Sequence, residues 1–132
     1  DIVNFANVSG DHFYAHVDET SLEGTMFEGR VAHGYYILSK AAGLFVEPRK
    51  GPVLLNYGID DCRFTKPVYP GTTIGVKLTV VEKIAQERRE PEDVAKGTVR
   101  YRVEVDDHEG ETVAVATILT MVKKRDQGPD AL

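Results

Sequence analysis

The chain has 132 residues, of which 42% are apolar and 28% are charged, and its formal net charge at pH 7 is -5. This length and apolar content fit one globular domain with its own core, and the acidic balance argues against general nucleic-acid binding, which needs a basic face. The single cysteine, Cys62, excludes an internal disulfide and a metal site built from several thiolates.

The composition also indicates where the protein works. No apolar run reaches the roughly 18 residues of a membrane-spanning helix, and no charged segment followed by an apolar one opens the chain as in a secretory leader. We therefore expect a cytoplasmic protein that has neither a membrane nor a nucleic acid as its partner.

The first quarter of the chain contains one short predicted helix. Apolar residues recur at helical spacing over residues 1–8, and Ser9-Gly10 ends the pattern, so the helix leads directly into a loop that begins at Asp11. Residues 17–32 mix charged side chains with glycines and have no sustained period. This predicts an irregular covering segment.

One long helix and a series of strands follow. Apolar positions recur at spacings of three and four over residues 33–46, which predicts a helix. Beyond it, Val103 and Val105 alternate with Arg102 and Glu104, as in a sheet with one packed and one wet face. Four strands are predicted, over residues 53–64, 73–81 with a continuation towards 89, 98–106 and 112–122. The residues alone therefore predict an α+β fold with one helix packed on an antiparallel sheet.

No repeat or low-complexity tract divides the chain, so we place one domain over residues 1–125 and a flexible tail over residues 126–132. The sequence starts at Asp1 inside a helical pattern and without an initiator methionine. We expect this sequence to be a fragment of a longer protein, and we expect the fragment to lack a leading strand that precedes residue 1.

Asp11 and His16 are the residue pair most suggestive of chemistry. A carboxylate and an imidazole can together activate a water at neutral pH, and Gly10 gives the backbone the freedom to aim the Asp11 side chain. Two plainer alternatives remain, because Asp11 can cap the next segment through backbone amides and His16 can be a hydrogen-bonded, half-buried side chain.

A metal site is a further alternative. His12 and His16 are four residues apart, as two ligands on one helix face would be, with Asp18 or Asp11 as a third ligand. The glutamate of a helical zinc-hydrolase motif is absent, and Gly10 beside two aromatics disfavours a regular helix there. We expect no metal.

Gly10-Asp11 followed by His16, together with His33-Gly34 at the start of an apolar helix, resembles the signature of the MaoC-like (R)-specific enoyl-CoA hydratases. The resemblance covers about residues 1–123. It implies the hot-dog fold, an antiparallel sheet wrapped around one long central helix. Further matching segments are 9–18, 41–46, 51–53, 56–58, 63–64 and 67–71.

The resemblance also implies roles for individual residues. Asp11 and His16 would bind and activate the water that adds to an enoyl thioester, and the backbone amide of Gly34, at a helix start, would hold the thioester oxyanion. A glycine that serves only helix packing is the alternative for Gly34. Candidate substrate-binding residues are Phe13, Tyr14 and His33, of which His33 is expected to be mainly structural.

One departure narrows the expected substrate. Phe13-Tyr14 stand where general hydratases carry Asn-Pro, and the ring-opening branch of bacterial phenylacetate catabolism shares this replacement. The resemblance thus implies hydration of oxepin-CoA with ring opening, no cofactor other than the coenzyme A of the substrate, a homodimer and an aldehyde dehydrogenase upstream in the same chain. Alternatives are a straight-chain enoyl-CoA hydratase and a non-catalytic domain that binds acyl thioesters.

Overall fold

The computed structural model describes residues 1–128, which form helices in the first third and long strands thereafter. The elements are α1 (Ile2–Ser9), α2 (Tyr14–Val17), a 3₁₀ turn (Glu19–Ser21), α3 (Gly34–Phe45), β1 (Val53–Phe64), β2 (Ile74–Gln86), β3 (Lys96–Asp107) and β4 (Thr112–Lys123). The two predicted helices and the four predicted strands are confirmed to within a few residues. The short helix α2 was not predicted.

The strands form one antiparallel sheet in the order β1-β4-β3-β2, which confirms the α+β prediction. A tight turn joins β3 to β4, and in it the amide of Asp107 donates to the carbonyl of Glu111 at 2.8 Å. Gly110 has a φ of 81°, which favours glycine. β1 and β2 are consecutive in the chain but lie at opposite edges of the sheet.

The chain divides into two compact units, and the first contains residues 1–45, 63–76 and 105–114. Its largest fully buried side chains are His33, Val105 and Val113. The core is otherwise made largely of alanines and valines, and a histidine among them is a polar group that requires a reason.

Within this unit, α1 and α3 each bury one face. Ile2 and Ala6 are the buried residues of α1, and Ile37 and Ala41 are those of α3. The spacing of four in both pairs is what a helix with one apolar stripe produces. This packing holds the two helix ends that flank residues 10–33.

The second unit contains residues 46–62, 77–104 and the described part of 115–132. Ala95, Val103, Ala116 and Thr120 are buried in it, and the hydroxyl of Thr120 donates to Oδ1 of Asn56 at 2.8 Å. The edge strands differ, because most of their apolar side chains are exposed. The exposed large apolar residues are Val53, Leu54, Leu55, Tyr57, Ile59 and Phe64 on β1 and Leu78, Val80, Val81 and Ile84 on β2.

Gln127 belongs to the predicted tail and makes specific contacts. Its side chain accepts from the amide of Ala95 at 2.9 Å and donates to the carbonyls of Ala95 and Lys124 at 2.8 and 2.7 Å. The last four residues of that predicted tail, 129–132, lie outside the described residues.

Among the helices of residues 1–128, none has both the length and the apolar character required to cross a membrane.

Candidate active site

Asp11 follows a sharp helix end. Gly10 caps α1 with a φ of 83°, and its amide donates to the carbonyl of Ala6 at 2.8 Å. A side chain at this φ would be strained although no atom lies within 4 Å of its Cβ position. Gly10 therefore turns the chain, and Asp11 becomes the first residue beyond the helix.

The carboxylate of Asp11 is partly used by the local backbone. Its Oδ1 accepts from the amide of Phe13 at 3.2 Å, which is the capping contact named above as the plainer alternative for Asp11. No described residue donates to Oδ2, and the residue is half-buried. The capping contact thus leaves one carboxylate oxygen open to a further partner.

His16 lies on α2, and the backbone fixes its tautomer. Its Nδ1 is 2.6 Å from the carbonyl oxygen of Val31. A carbonyl can only accept, so the proton is on Nδ1 and the neutral ring carries its lone pair on Nε2. Val31 is itself held, since its amide donates to the carbonyl of Ala15 on α2 at 3.0 Å.

His33 contacts both Asp11 and His16 and brings them together. It is 1% exposed, and its Nε2 donates to the backbone carbonyl of Asp11 at 2.9 Å. Its ring stacks on that of His16 with centroids 3.8 Å apart and planes 23° apart. One ligand-type atom from each of Asp11, His16 and His33 lies within 4.8 Å of the others.

This cluster has the residue types of a metal site but not the geometry of one. Two imidazoles stacked nearly in parallel keep the lone pairs of their ring nitrogens in two separate, nearly parallel planes, whereas a shared ion needs both lone pairs to converge on one point. Nε2 of His33 also carries the proton that it donates to Asp11. The cluster therefore suits proton transfer better than metal binding.

The ligands of the His12 alternative are engaged elsewhere. Nε2 of His12 is 3.1 Å from Oδ1 of Asn7. The carboxylate of Asp18 accepts from the side chains of Ser21 and Thr20, and these hydrogen bonds lower the pKa of Asp18 below its usual range. Within residues 1–128, the cluster of ligand-type side chains that contains His16 includes neither His12 nor Asp18.

Gly34 begins α3, where the first backbone amides have no partner within the helix. A Cβ at this position would lie 2.4 Å from the ring of Phe64. Glycine is thus needed because an aromatic ring at the end of β1 presses against the helix start. A substrate group that reaches the Gly34 amide must approach beside this ring.

A mostly apolar cavity of about 330 Å³ opens next to these residues. His16 and Gly34 contribute to its lining, together with Met26, Phe27 and Phe64. An apolar cavity with a few polar groups on one side is the usual form of a small-molecule site. Lys66 also contributes, and it is the charged residue among those lining the cavity.

Lys66 is held by an ion-pair network on the β3-β4 turn. Its Nζ lies 2.6 Å from Glu111, 2.8 Å from Asp107 and 3.8 Å from Glu109. The hydrogen bond from Lys66, and then the backbone amide of Glu111, lower the pKa of Asp107. The hydrogen bonds to the side chains of Asp107 and then Glu111 raise the pKa of Lys66. The lysine is therefore charged and ion-paired with carboxylates of the turn.

Phe13 and Tyr14 lie beside the cluster and do not line this cavity. Phe13 is 55% exposed and Tyr14 40% exposed. The ring of Phe13 approaches that of His16 edge-on, with centroids 5.8 Å apart. His33 is behind His16 and does not line the cavity either. Of the predicted site residues, Asp11, His16, His33 and Gly34 are brought together, and the two aromatics lie at their margin.

The cavity residues Met26, Phe27, Phe64 and Lys66 were not singled out from the sequence. They come from two segments nearly 40 residues apart, and none carries a local pattern that separates a cavity wall from an ordinary packed or exposed side chain. Phe64 lies in segment 63–64, which belongs to the family resemblance, but the resemblance assigns it no role.

Comparison with known families and sequences gives a consistent result. Residues 1–105 match the model described as MaoC like domain. The chain is 50% identical over 95 residues to Protein MaoC of Klebsiella aerogenes, covering 72% of this chain and 28% of that protein. It is 34% identical over 92 residues to 3-hydroxybutyryl-CoA dehydratase of Methylorubrum extorquens, covering 67% and 56%. The chain thus spans at most 56% of the length of these curated relatives.

Solved structures of similar proteins support the same fold. The monoamine oxidase regulatory protein from Archaeoglobus fulgius has a TM-score of 0.82 and 31% identity, covering 95% of this chain and 81% of that one. The R-hydratase PhaJ1 from Pseudomonas aeruginosa has a TM-score of 0.68 and 29% identity, covering 94% and 73%. Rv0216 of Mycobacterium tuberculosis, described as a double hotdog fold, has a TM-score of 0.78 at 19% identity, covering 98% and 39%. The expected hot-dog fold is thereby confirmed.

Proposed function

The chain belongs to the MaoC-like domain family, and on this basis we propose that it is an (R)-specific enoyl-CoA hydratase, adding water to the double bond of a coenzyme A thioester. The family of hydratases and dehydratases is shared with the relatives described above. The observation that carries the proposal is that Asp11 clusters with His16 and His33, while His16 and Gly34 at the start of α3 line one apolar cavity. This arrangement supports the proposal that two proton-transfer groups act beside a helix N-terminus.

In the proposed mechanism, the thioester carbonyl oxygen accepts a hydrogen bond from the Gly34 amide. Negative charge develops on that oxygen as water attacks the β-carbon, and an unpaired amide at a helix start stabilises it. Gly34 has no side chain to obstruct this approach. The acyl group beyond the double bond lies in the apolar cavity between Phe27 and Phe64.

Asp11 and His16 share the two proton transfers. The water lies between the Asp11 carboxylate and Nε2 of His16, and one of these groups takes a proton from it as its oxygen bonds to the β-carbon. The other group, which must hold a proton when the reaction starts, donates that proton to the α-carbon, and it is then reprotonated by the proton taken from the water, so both groups return to their starting states. The elements of one water are added, both from the same face, because a single site supplies them.

We propose oxepin-CoA as the substrate. Water added beside the ring oxygen gives a hemiacetal, which opens to an aldehyde without any further reagent. The Phe13-Tyr14 replacement supports this choice, because the ring-opening branch that the chain resembles shares it. An aldehyde dehydrogenase upstream in the same protein, which we also propose, would remove the reactive product.

A short straight-chain substrate is the second candidate. It is favoured by the 34% identity to a protein named 3-hydroxybutyryl-CoA dehydratase. The same site would catalyse both reactions, since only the acyl group differs. A non-catalytic domain that binds thioesters is a third candidate and would turn over neither substrate.

The discriminating experiment measures kcat/KM for oxepin-CoA, crotonyl-CoA and dodecenoyl-CoA on one preparation. We expect oxepin-CoA to give the highest value and dodecenoyl-CoA the lowest, because Phe27 and Phe64 bound a cavity of only about 330 Å³. Preference for crotonyl-CoA would replace the ring-opening assignment by the short-chain one. If none of the three substrates is turned over, the non-catalytic domain that binds thioesters is the remaining candidate.

A matched pair of variants tests whether the cavity holds the acyl group. Phe64→Ala enlarges the cavity beside Gly34, so kcat/KM for dodecenoyl-CoA should rise relative to crotonyl-CoA. Tyr35→Ala removes an aromatic ring that is 72% exposed and does not line the cavity, and it should leave the ratio unchanged. An equal response in both variants would exclude the cavity as the acyl site.

A further inference from the structure

His33 contacts both proposed proton-transfer residues but is itself out of reach of substrate. Its side chain is 1% exposed. One ring nitrogen bonds the Asp11 backbone, one ring face covers His16, and the edge of the ring meets Phe5 of α1 with centroids 4.8 Å apart. The imidazole therefore lies behind the site, between the helix that precedes Asp11 and the ring of His16.

Core packing alone does not explain an imidazole at this position. Nε2 carries the proton donated to Asp11, so the neutral ring has its lone pair on Nδ1, and Nδ1 is buried without a hydrogen-bond partner among residues 1–128. Burying an unpaired polar atom costs free energy. An aliphatic side chain of similar size would fill the same space without this cost, so the histidine requires a purpose other than packing.

Each of its contacts removes a motion that would misplace a reacting group. The backbone of Asp11 follows the turn at Gly10, and the bond from Nε2 of His33 fixes the carbonyl from which that carboxylate extends. His16 is held by one hydrogen bond, to Val31, about which its ring can still rotate. The stack at 3.8 Å removes this rotation.

We propose that His33 is a positioning residue that holds the Asp11 carboxylate and Nε2 of His16 towards the same water. This inference rests on the proposed hydration and identifies a group that acts through both proton-transfer residues. It neither touches substrate nor transfers a proton. A displacement of about 1 Å in such groups reduces turnover by about 100-fold.

The test compares two substitutions that differ in what they retain. His33→Leu fills the space but has neither a donor nor a flat face, so kcat should fall by about 10- to 100-fold. KM should stay within about twofold of the wild-type value and Tm should not fall, because the unpaired Nδ1 is also removed. His33→Gln keeps an N–H near the Nε2 position and should recover part of kcat.

Phe5→Leu is the matched control, because Phe5 packs on His33 and has no contact with the Asp11 carbonyl or the His16 ring among those described. We expect it to lower Tm while kcat stays near the wild-type value. If His33→Leu keeps wild-type kcat, or if kcat in all three variants falls only in step with Tm, the positioning role is excluded.

A second measurement does not depend on turnover. Side-chain ¹⁵N NMR of His16 should show one tautomer, protonated at Nδ1, in the wild type and in Phe5→Leu, and shifted or mixed signals in His33→Leu. Unchanged His16 signals in His33→Leu would overturn the positioning role. If the wild type hydrates no enoyl thioester but these signals still respond, the proposed function fails and the structural coupling stands.

Discussion

Asp11 and His16 are five residues apart in the chain, and two backbone features bring them to one place. Gly10 ends α1 in a left-handed conformation, and the single turn of α2 directs His16 back towards Asp11. The carbonyl of Val31 then selects the tautomer in which Nε2 is free to accept a proton. Their proximity is thus produced by a glycine, one helical turn and one hydrogen bond.

At this scale we predict that Asp11→Asn and His16→Ala each reduce kcat for crotonyl-CoA or oxepin-CoA by about 100- to 10,000-fold, the usual contribution of a general acid or base. Neither substitution opens the buried core, because both side chains are only half-buried. Steady-state kinetics with Tm measured on each variant checks this. Near wild-type turnover in either variant would remove that residue from the mechanism.

Asp18→Asn and His12→Ala are the matched controls. They change the same residue types a few positions away, where Asp18 holds the hydroxyls of Thr20 and Ser21 and His12 bonds Asn7. Both should retain kcat within about threefold, the range expected away from reacting atoms. EDTA should leave the wild-type rate unchanged, whereas loss of activity that zinc restores would support metal chemistry.

The residue types and the glycine break drew attention to Asp11 and His16, and the family resemblance was needed to favour a catalytic role for them over the plainer alternatives. The contacts of His33 were not predictable, because it lies 17 residues beyond His16 and its stack depends on how α1 and α3 pack. Phe64 is a further 31 positions along, at the end of a strand. Only the fold places its ring against Gly34.

At the scale of elements, periodicity predicted α3 and all four strands but did not predict their burial. In β3, Val103 and Val105 are buried as the alternation indicates. β1 is richer in apolar residues than β3, and yet most of its side chains are exposed. The reason is position: β3 is interior to the sheet and β1 is an edge, and strand order is not a local property of the sequence.

The β3-β4 turn allows a prediction about pH. Lys66 lowers the pKa of Asp107 in the folded state, so the unfolded chain binds more protons as the solution becomes acidic. The resulting stabilisation is complete above the usual carboxyl pKa and is lost as pH falls through the lowered value. Asp107→Asn should therefore reduce Tm at pH 7, and the difference from wild type should narrow below about pH 4.

Glu109→Gln is the control for this effect. Glu109 lies 3.8 Å from Lys66 and its side chain is 67% exposed, against 6% for Asp107, so its loss should change Tm little. Thermal unfolding of both variants between pH 3 and 8 makes the comparison. A constant Tm difference for Asp107→Asn across this range would refute the assignment of Asp107 as the linked group.

At the scale of the whole molecule, the second unit has an unpartnered edge. β1 is at one side of the sheet and exposes Leu54, Leu55 and Tyr57. An edge strand presents unpaired backbone groups, and one that is also apolar tends to associate unless it is covered. We propose that β1 pairs with β1 of a second copy, which is the homodimer expected from the family resemblance.

Leu55→Glu should convert this dimer into a monomer, because pairing two copies of β1 brings like charges together at an apolar contact. Val8→Glu adds the same charge to α1 at an apolar side chain that is 88% exposed, and it should leave the mass unchanged. Light scattering after size-exclusion chromatography at micromolar concentration, on protein that includes any native segment upstream of residue 1, distinguishes the two. A wild-type monomer, or a Leu55→Glu dimer, would show that β1 is covered in another way.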